Sequence, residues 1–262
     1  MFAAYLDASG KTEDVSKPGV PALALAGYVA PVEAWKRFDK KWRVELLRSF
    51  SLKHAHHKNF AQTRNQYEGW SEKKRVRYVQ VGSGLINQAA SVGVVTAVLL
   101  KDYARSVSAN QKPKSPFMFV AAECLKQIAR WASKEKITEP IAYFFETGDG
   151  HNSEILQIEQ EILARRSLRR TYHFHSLTLL RKVDPAGVPL QSSDWLAWEA
   201  AKYLKDTKLA MDNPRDMRAP LRLLWNSGKL ITQFYDDERL GKLATHNAAE
   251  LERNRRVERL FE

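Results

Sequence analysis

The sequence predicts an α/β fold in which a mixed sheet is flanked by helices. Two observations carry that expectation. A pair of short apolar runs, Phe2 to Leu6 and Ala22 to Val29, opens the chain, and from Pro31 onward helical periodicity alternates with further strand-like runs. A third observation concerns partners: 42 Lys and Arg against 30 Asp and Glu give a formal charge of +12. That excess favours a polyanion such as nucleic acid, or an anionic membrane surface, over a neutral partner.

Phe2-Ala3-Ala4-Tyr5-Leu6 ends abruptly in Asp7-Ala8-Ser9-Gly10, which makes it a buried strand with an acid at its end. Open sheets collect ligands at strand ends, although an Asp before Ser-Gly also serves as a turn former that bonds its own backbone. Lys11 to Pro21 is polar, and Ala22 to Val29 follows as a second buried strand, a hairpin partner of the first. Pro31 starts a helix whose Trp35, Phe38, Trp42, Leu46 and Phe50 recur at three or four residue intervals and define a packing face. His54-Ala55-His56-His57 follows, and an extended backbone sets His54 and His56 on one side.

Ser71 opens a second helix that runs to about Ala90, with Lys73, Lys74, Arg75 and Arg77 in its first two turns. Those charges sit at the wrong end for the helix dipole; a phosphate partner or a plain solvated face accounts for them. Ser91 to Leu100 is a strand, Ala104 to Ser115 a polar loop, and Phe117 to about Lys136 a third helix marked by Phe117, Val120, Cys124, Leu125, Ile128 and Trp131. Pro140 to Glu146 is an apolar run that again ends in an acid. Gly148-Asp149-Gly150 makes a turn, and Asn152 or Ser153 caps a helix through about Leu168, with Arg165, Arg166, Arg169 and Arg170 crowding its end. Tyr172 to Leu180 reads as a strand, Asp184 to Gly187 as a turn, and Leu190 to about Lys205 as the last clear helix. Residues 1–206 then form one domain, and 207–262 reads as an accessory C-terminal helical segment with a charged end, a lid or an oligomerisation element.

A chain of 262 residues is long enough to bury a substantial core. Cys124 is its one cysteine, which excludes a disulfide framework or a thiolate zinc cage within the chain and fits a reduced, cytoplasmic setting. The start of the sequence lacks signal-peptide features and no apolar run approaches the roughly 18 residues that span a bilayer, so no membrane-spanning segment is expected, and the expectation is nucleic acid as the polyanion and no membrane partner.

Asp7 and Glu146 thus close two apolar runs, and Asp194 supplies a third acid. In the series Leu190, Asp194, Ala197, Ala201 it falls on a stripe otherwise made for packing. A lone carboxylate there is expensive to bury, so it needs a basic side chain or a metal, unless it only complements the helix dipole. Three carboxylates from separate elements suit magnesium or manganese, hard cations that prefer oxygen ligands. Two such ions roughly 4 Å apart activate a water and stabilise the leaving oxygen of a phosphodiester.

The blocks Tyr5-Leu6-Asp7-Ala8-Ser9-Gly10, Phe144-Phe145-Glu146-Thr147-Gly148-Asp149-Gly150-His151-Asn152 and Leu190-Gln191-Ser192-Ser193-Asp194-Trp195-Leu196-Ala197 resemble, in order, the three signature blocks of the domain-of-unknown-function 3800 family. The resemblance spans about residues 1 to 206. It implies a ribonuclease H-like fold and metal-dependent nuclease activity, with Asp7, Glu146 and Asp194 as Mg2+ or Mn2+ ligands. Two departures stand out: Ala8 replaces the usual acid after the first Asp, and Glu146 stands where the family more often has Asp. Ribonuclease H-like enzymes draw a fourth acid from the helix before the second acidic strand, and Glu123 occupies a comparable place.

The leading expectation is therefore a metal-dependent nuclease acting on DNA or RNA, without an organic cofactor. Its rivals are a nucleic-acid-binding or protein-interaction module on the same fold and a metal-dependent phosphohydrolase acting on small esters. His54 and His56 either assist proton transfer beside the metals or are polar parts of a loop.

Overall fold

The computed structural model describes residues 1–10, 21–106, 115–148, 150–207 and 216–243. The polar run from Lys11 to Val20, the stretch 107–114 of the expected polar loop, Asp149 of the expected turn and the charged C-terminal end lie outside them.

The opening strand pair is a hairpin as expected. β1 (Phe2–Ser9) runs antiparallel to β2 (Ala22–Pro31), with Tyr5 opposite Tyr28. β3 (Val92–Leu99) continues the antiparallel set on the far side of β2, and β4 (Ile141–Glu146) lies parallel to β1 on its other side. β5 (Phe174–Leu180) extends the sheet beyond β4, and β6 (Leu230–Tyr235) lies parallel to β3 at the opposite edge. The sheet order is β5-β4-β1-β2-β3-β6. β3 is buried along its whole length and β2 at every position but its last. Their continuous apolar runs are what strands covered on both faces require.

Helices pack on both faces. On one, Tyr28, Val95 and Ala97 meet Trp35 and Phe38 of α1 (Val32–Lys41) and Trp195, Leu196 and Ala200 of α8 (Leu190–Thr207). On the other, Ala4, Leu6 and Val94 meet Val120, Cys124 and Ile128 of α5 (Pro116–Lys134) and Ile155 of α6 (Asn152–Ala164). The helix after Pro31 continues beyond α1 as a π-helical stretch, Trp42–Arg48, that keeps Trp42, Leu46 and Leu47 buried. α2 (His57–Ala61) is a single short helix, and α3 (Glu72–Ala89) begins where expected, with Ser71 Oγ accepting from the Lys74 amide.

Four expectations are corrected. Part of the polar loop is helical, since α4 (Leu100–Ser106) buries Leu100 and Tyr103 against the second core. The helix after the Gly148–Gly150 turn is not continuous, because Arg165 adopts an extended φ of −124° that ends α6 and starts α7 (Arg166–Thr171). The buried stripe of α6 ends at Ile162 and α7 buries no residue fully, so packing does not carry one helix across the break. Neither Asn152 nor Ser153 caps α6: His151 stands at the cap position without a side-chain bond, and the Asn152 side chain pairs with Thr147. Finally, the segment after residue 207 is not only helical. After α9 (Ala219–Trp225) it supplies β6, whose Phe234 and Tyr235 are buried in opposite cores, so it completes the sheet.

Candidate active site

The site forms where the β1–β4 ladder stops. Tyr5 pairs with Phe144 and Leu6 with Phe145, and the rings of Tyr5 and Phe144 stack at 4.6 Å. Asp7 and Glu146 lie two residues further along the same two parallel strands, so strand alternation places them side by side on the Tyr5 face. Asp7 is not the end of its strand as the sequence suggests; β1 continues to Ser9 on its β2 side and lifts Asp7 into a buried position, 1% exposed.

α8 brings Asp194 to the same face. The helix packs on β1 and β2, and Ser193 Oγ donates to the carbonyl of Tyr5 at 2.8 Å, which fixes the register of the helix over the strand. Asp194, 8% exposed, then meets a side chain from the loop after β5. Lys182 Nζ donates to Asp194 Oδ1 at 2.8 Å and to Asp7 Oδ2 at 3.1 Å. The basic side chain that a buried Asp194 requires is therefore present, 12 residues away in the chain.

The electrostatics follow. Burial lowers the ammonium pKa of Lys182, but the fields of Asp7, Asp194 and Glu146 outweigh it and the net shift is upward. Asp194 shows the mirror image: burial raises its carboxyl pKa, while Lys182, His56 and the hydrogen bonds from Lys182 and the His57 amide pull it below the ordinary carboxylate value. Glu146 is thus near enough to act on Lys182 as a third carboxylate.

The loop that delivers Lys182 is rigid at both ends. Arg181 Nη2 pairs with Asp184 Oδ1 at 2.9 Å, and the Asp184 carboxylate accepts from the Arg181 amide. The turn that follows, Pro185–Gly187, closes on Arg181 so tightly that a Cβ on Gly187 would lie 2.0 Å from the Arg181 carbonyl oxygen. Gln191 then locks the peptide of Lys182: its Nε2 donates to the Lys182 carbonyl at 2.9 Å while its Oε1 accepts from Trp42 Nε1 and the Ala55 amide. Gln191 thus aims the lysine at Asp194, one turn further along α8.

The histidine segment is bound to the same helix. The His57 amide donates to Asp194 Oδ2 at 2.6 Å, and the buried His57 ring stacks on Trp195 and contacts Glu199 Oε1 through Nε2 at 2.7 Å. His57 therefore points into the core, whereas His54 and His56 are half-buried on the side of Asp194. Burial lowers both of their pKa values, and Lys182 adds to that effect against the opposing pull of Asp194. His56 Nδ1 accepts the Asn59 amide as the cap of α2, which places the proton of its neutral ring on Nε2.

Glu123 is not part of this arrangement. It projects from α5 on the opposite face of the sheet, where Tyr235 Oη donates to Oε2 at 2.7 Å and Lys126 Nζ pairs with Oε1 at 2.6 Å. Its helix precedes β4 as expected, but the helix turns this residue towards β6 and the edge of the sheet away from Glu146. The basic residues at the start of α3 are partly engaged as well: Arg75 donates to Phe60 O and Thr63 Oγ1, and Lys74 lies over the Trp70 ring.

Sequence reasoning missed Lys182 and the bracing roles of Gln191 and His57. For Lys182 the available signal was a lysine two residues after the strand that borders the Glu146 strand, 12 residues before an Asp in need of a partner. Among the described residues no group of three or more His, Cys, Asp and Glu side chains is arranged to hold a metal ion, and no helix is long and apolar enough to cross a membrane. No protein-family model and no curated protein matches the chain. The resemblance to the domain-of-unknown-function 3800 family rests on its three short blocks alone.

Proposed function

We propose that the protein is a metal-dependent nuclease of ribonuclease H-like fold, with Asp7, Glu146 and Asp194 holding Mg2+ or Mn2+. The observation that carries this reading is the convergence of Asp7 and Asp194, 187 positions apart in the chain, on one positive charge beside Glu146. A six-stranded mixed sheet flanked by helices, with the acids on β1, β4 and α8, is compatible with the fold the resemblance implies.

Carboxylate oxygens are the donor type a hard cation prefers, although the three acids are not arranged as a metal-holding group in this structure. The oxygens come from separate elements, and the ammonium of Lys182 is a stand-in for a cation between two of them. When bound, such an ion supplies the charge that activates a water and stabilises the leaving oxygen of a phosphodiester. The chain's own residues do the rest. Gln191 and the His57 amide hold Lys182 and Asp194 in place, while Lys53 and Lys58 beside His54 and His56, and the Asp184-paired Arg181 near Glu146, add positive charge to attract a phosphate backbone.

A non-catalytic nucleic-acid-binding module is the second reading, favoured by the completeness of the Asp7–Lys182–Asp194 ion-pair set. The deciding experiment is cleavage of labelled DNA and RNA in Mn2+ beside binding measured across a salt series. Binding that weakens with salt, together with Mn2+-dependent cleavage, supports the nuclease. Binding without cleavage at any metal concentration leaves the binding module, and neither at low salt discards both.

A further inference from the structure

In most metal sites the carboxylates need the ion to hold them together, since like charges in a buried place repel. Here the chain brings its own cation. Lys182 Nζ takes one oxygen from each of Asp7 and Asp194, and its side chain is only 13% exposed. The backbone behind it is immobilised by Gln191 Nε2 at the Lys182 carbonyl and by the Arg181–Asp184 turn, so movement of this residue is movement of its side chain. The two oxygens it occupies belong to two of the acids best suited to a divalent ion, and one position cannot hold both cations.

We propose that Lys182 is the resident counter-ion of the site, a positioning residue that holds Asp7 and Asp194 together in the metal-free protein and yields those two oxygens when a divalent ion binds. The inference rests on the metal-dependent reading and adds an exchange to it: Asp7 Oδ2 and Asp194 Oδ1 pass from the ammonium to the metal. The ammonium keeps its protons and swings out to solvent. Two consequences follow. The metal competes with a covalently tethered cation, so its apparent affinity is lower than that of the same carboxylates without the lysine. Lys182 is also protected from solvent reagents in the metal-free state and exposed in the loaded one.

The test is site-resolved acylation of lysines by an amine-reactive ester, read by mass spectrometry on the full chain with and without Mn2+, beside Mn2+ affinity measured by calorimetry. No nucleic acid or turnover is involved. In the parent protein, labelling of Lys182 is expected to rise about tenfold or more on Mn2+ saturation, while exposed Lys36 and Lys242 stay constant. Lys182→Met is expected to bind Mn2+ about tenfold more tightly than the parent, and tight binding by this variant with none by the parent is the limiting form of the same result. Asp7→Asn is expected to expose Lys182 to the reagent without metal. Mn2+ binding that leaves Lys182 labelling unchanged overturns the exchange while sparing the metal-dependent reading. Should Lys182→Met fail to fold, the labelling of the parent still decides. Absence of Mn2+ binding by both parent and variant overturns both.

Discussion

The two faces of the sheet each bury a carboxylate, and they solve the same problem in different ways. Glu123 is served locally. Lys126, three residues along the same helix, reaches Oε1, and Tyr235 from the neighbouring edge strand donates to Oε2. Asp7 is served from a distance of 175 residues, by a lysine that must also satisfy Asp194. A carboxylate with a partner on its own helix needs little more than that helix, whereas Asp7 and Asp194 acquire theirs only once β1, the loop after β5 and α8 are all assembled. The difference separates a carboxylate that belongs to packing from a pair that the fold gathers at a strand end.

The largest effect expected from breaking this contrast is on stability. Lys182→Met leaves two buried carboxylates without their shared ammonium and is expected to cost about 3–5 kcal/mol, the range for removing one partner of a buried ion pair. Lys126→Met removes a side chain that is 45% exposed and is expected to cost under about 1 kcal/mol. Urea unfolding of both variants without added metal checks the pair. Equal costs would erase the distinction between the faces.

The second effect is on activity. Asp7→Asn or Asp194→Asn is expected to lower Mn2+-dependent cleavage by roughly a hundredfold or more, since a metal's charge at the reacting phosphate is worth several kcal/mol and each 1.4 kcal/mol is about tenfold. Glu123→Gln is expected to stay within about threefold of the parent, because Glu123 faces the other core. Initial rates at saturating Mn2+ measure both, and a loss in Glu123→Gln as large as in Asp7→Asn would return that residue to the site.

How much of this was legible before folding depends on whether the signal was periodic. The hairpin, the alternation of strands and helices and the stripe bearing Asp194 all show in local spacing, and the structure keeps them. The acid at the end of each apolar run is also visible, and strand register turns that local pattern into the Asp7–Glu146 adjacency. The cation was only weakly legible: its place just beyond the strand that borders β4 becomes a signal once that pairing is known, and its burial depends on a peptide held by Gln191 and a turn closed on Gly187. β6 was not legible, since its six residues carry too little alternation to separate from the helix before them. Glu123 misled for the opposite reason: its place in the order of elements is right, but order along the chain does not fix the face to which a helix residue points.

Acid sharpens the contrast further. The folded pKa of Asp194 is depressed, with burial pushing upward and Lys182, His56 and two hydrogen bonds prevailing. Such a group contributes stability that is fully present above the ordinary carboxylate value of about 4 and is lost as pH falls through the lower folded value. The metal-free protein is therefore expected to lose part of its stability as pH falls below the ordinary carboxylate value of about 4, and Asp194→Asn to show a shallower decline there. Parallel slopes for parent and variant in thermal unfolding across that range would remove Asp194 from the acid response.

The last contrast tests the quiet face. Burial, followed by its hydrogen bond to Glu123, raises the Tyr235 phenol pKa well above its usual value, so it remains a donor throughout the accessible pH range. Tyr235→Phe takes that donor from Glu123 Oε2 but leaves Lys126 on Oε1, so the carboxylate keeps a charged partner and the cost is expected at about 1–2 kcal/mol. A double-mutant cycle with Glu123→Gln should show coupling between the two residues, because they touch. A cycle of Tyr235→Phe with Lys182→Met should be additive within about 0.5 kcal/mol, because the two partners lie on opposite faces of the sheet. Coupling in the second cycle comparable to that in the first would mean that the two carboxylate sites communicate through the sheet, and the separation between packing and gathered charge would no longer hold.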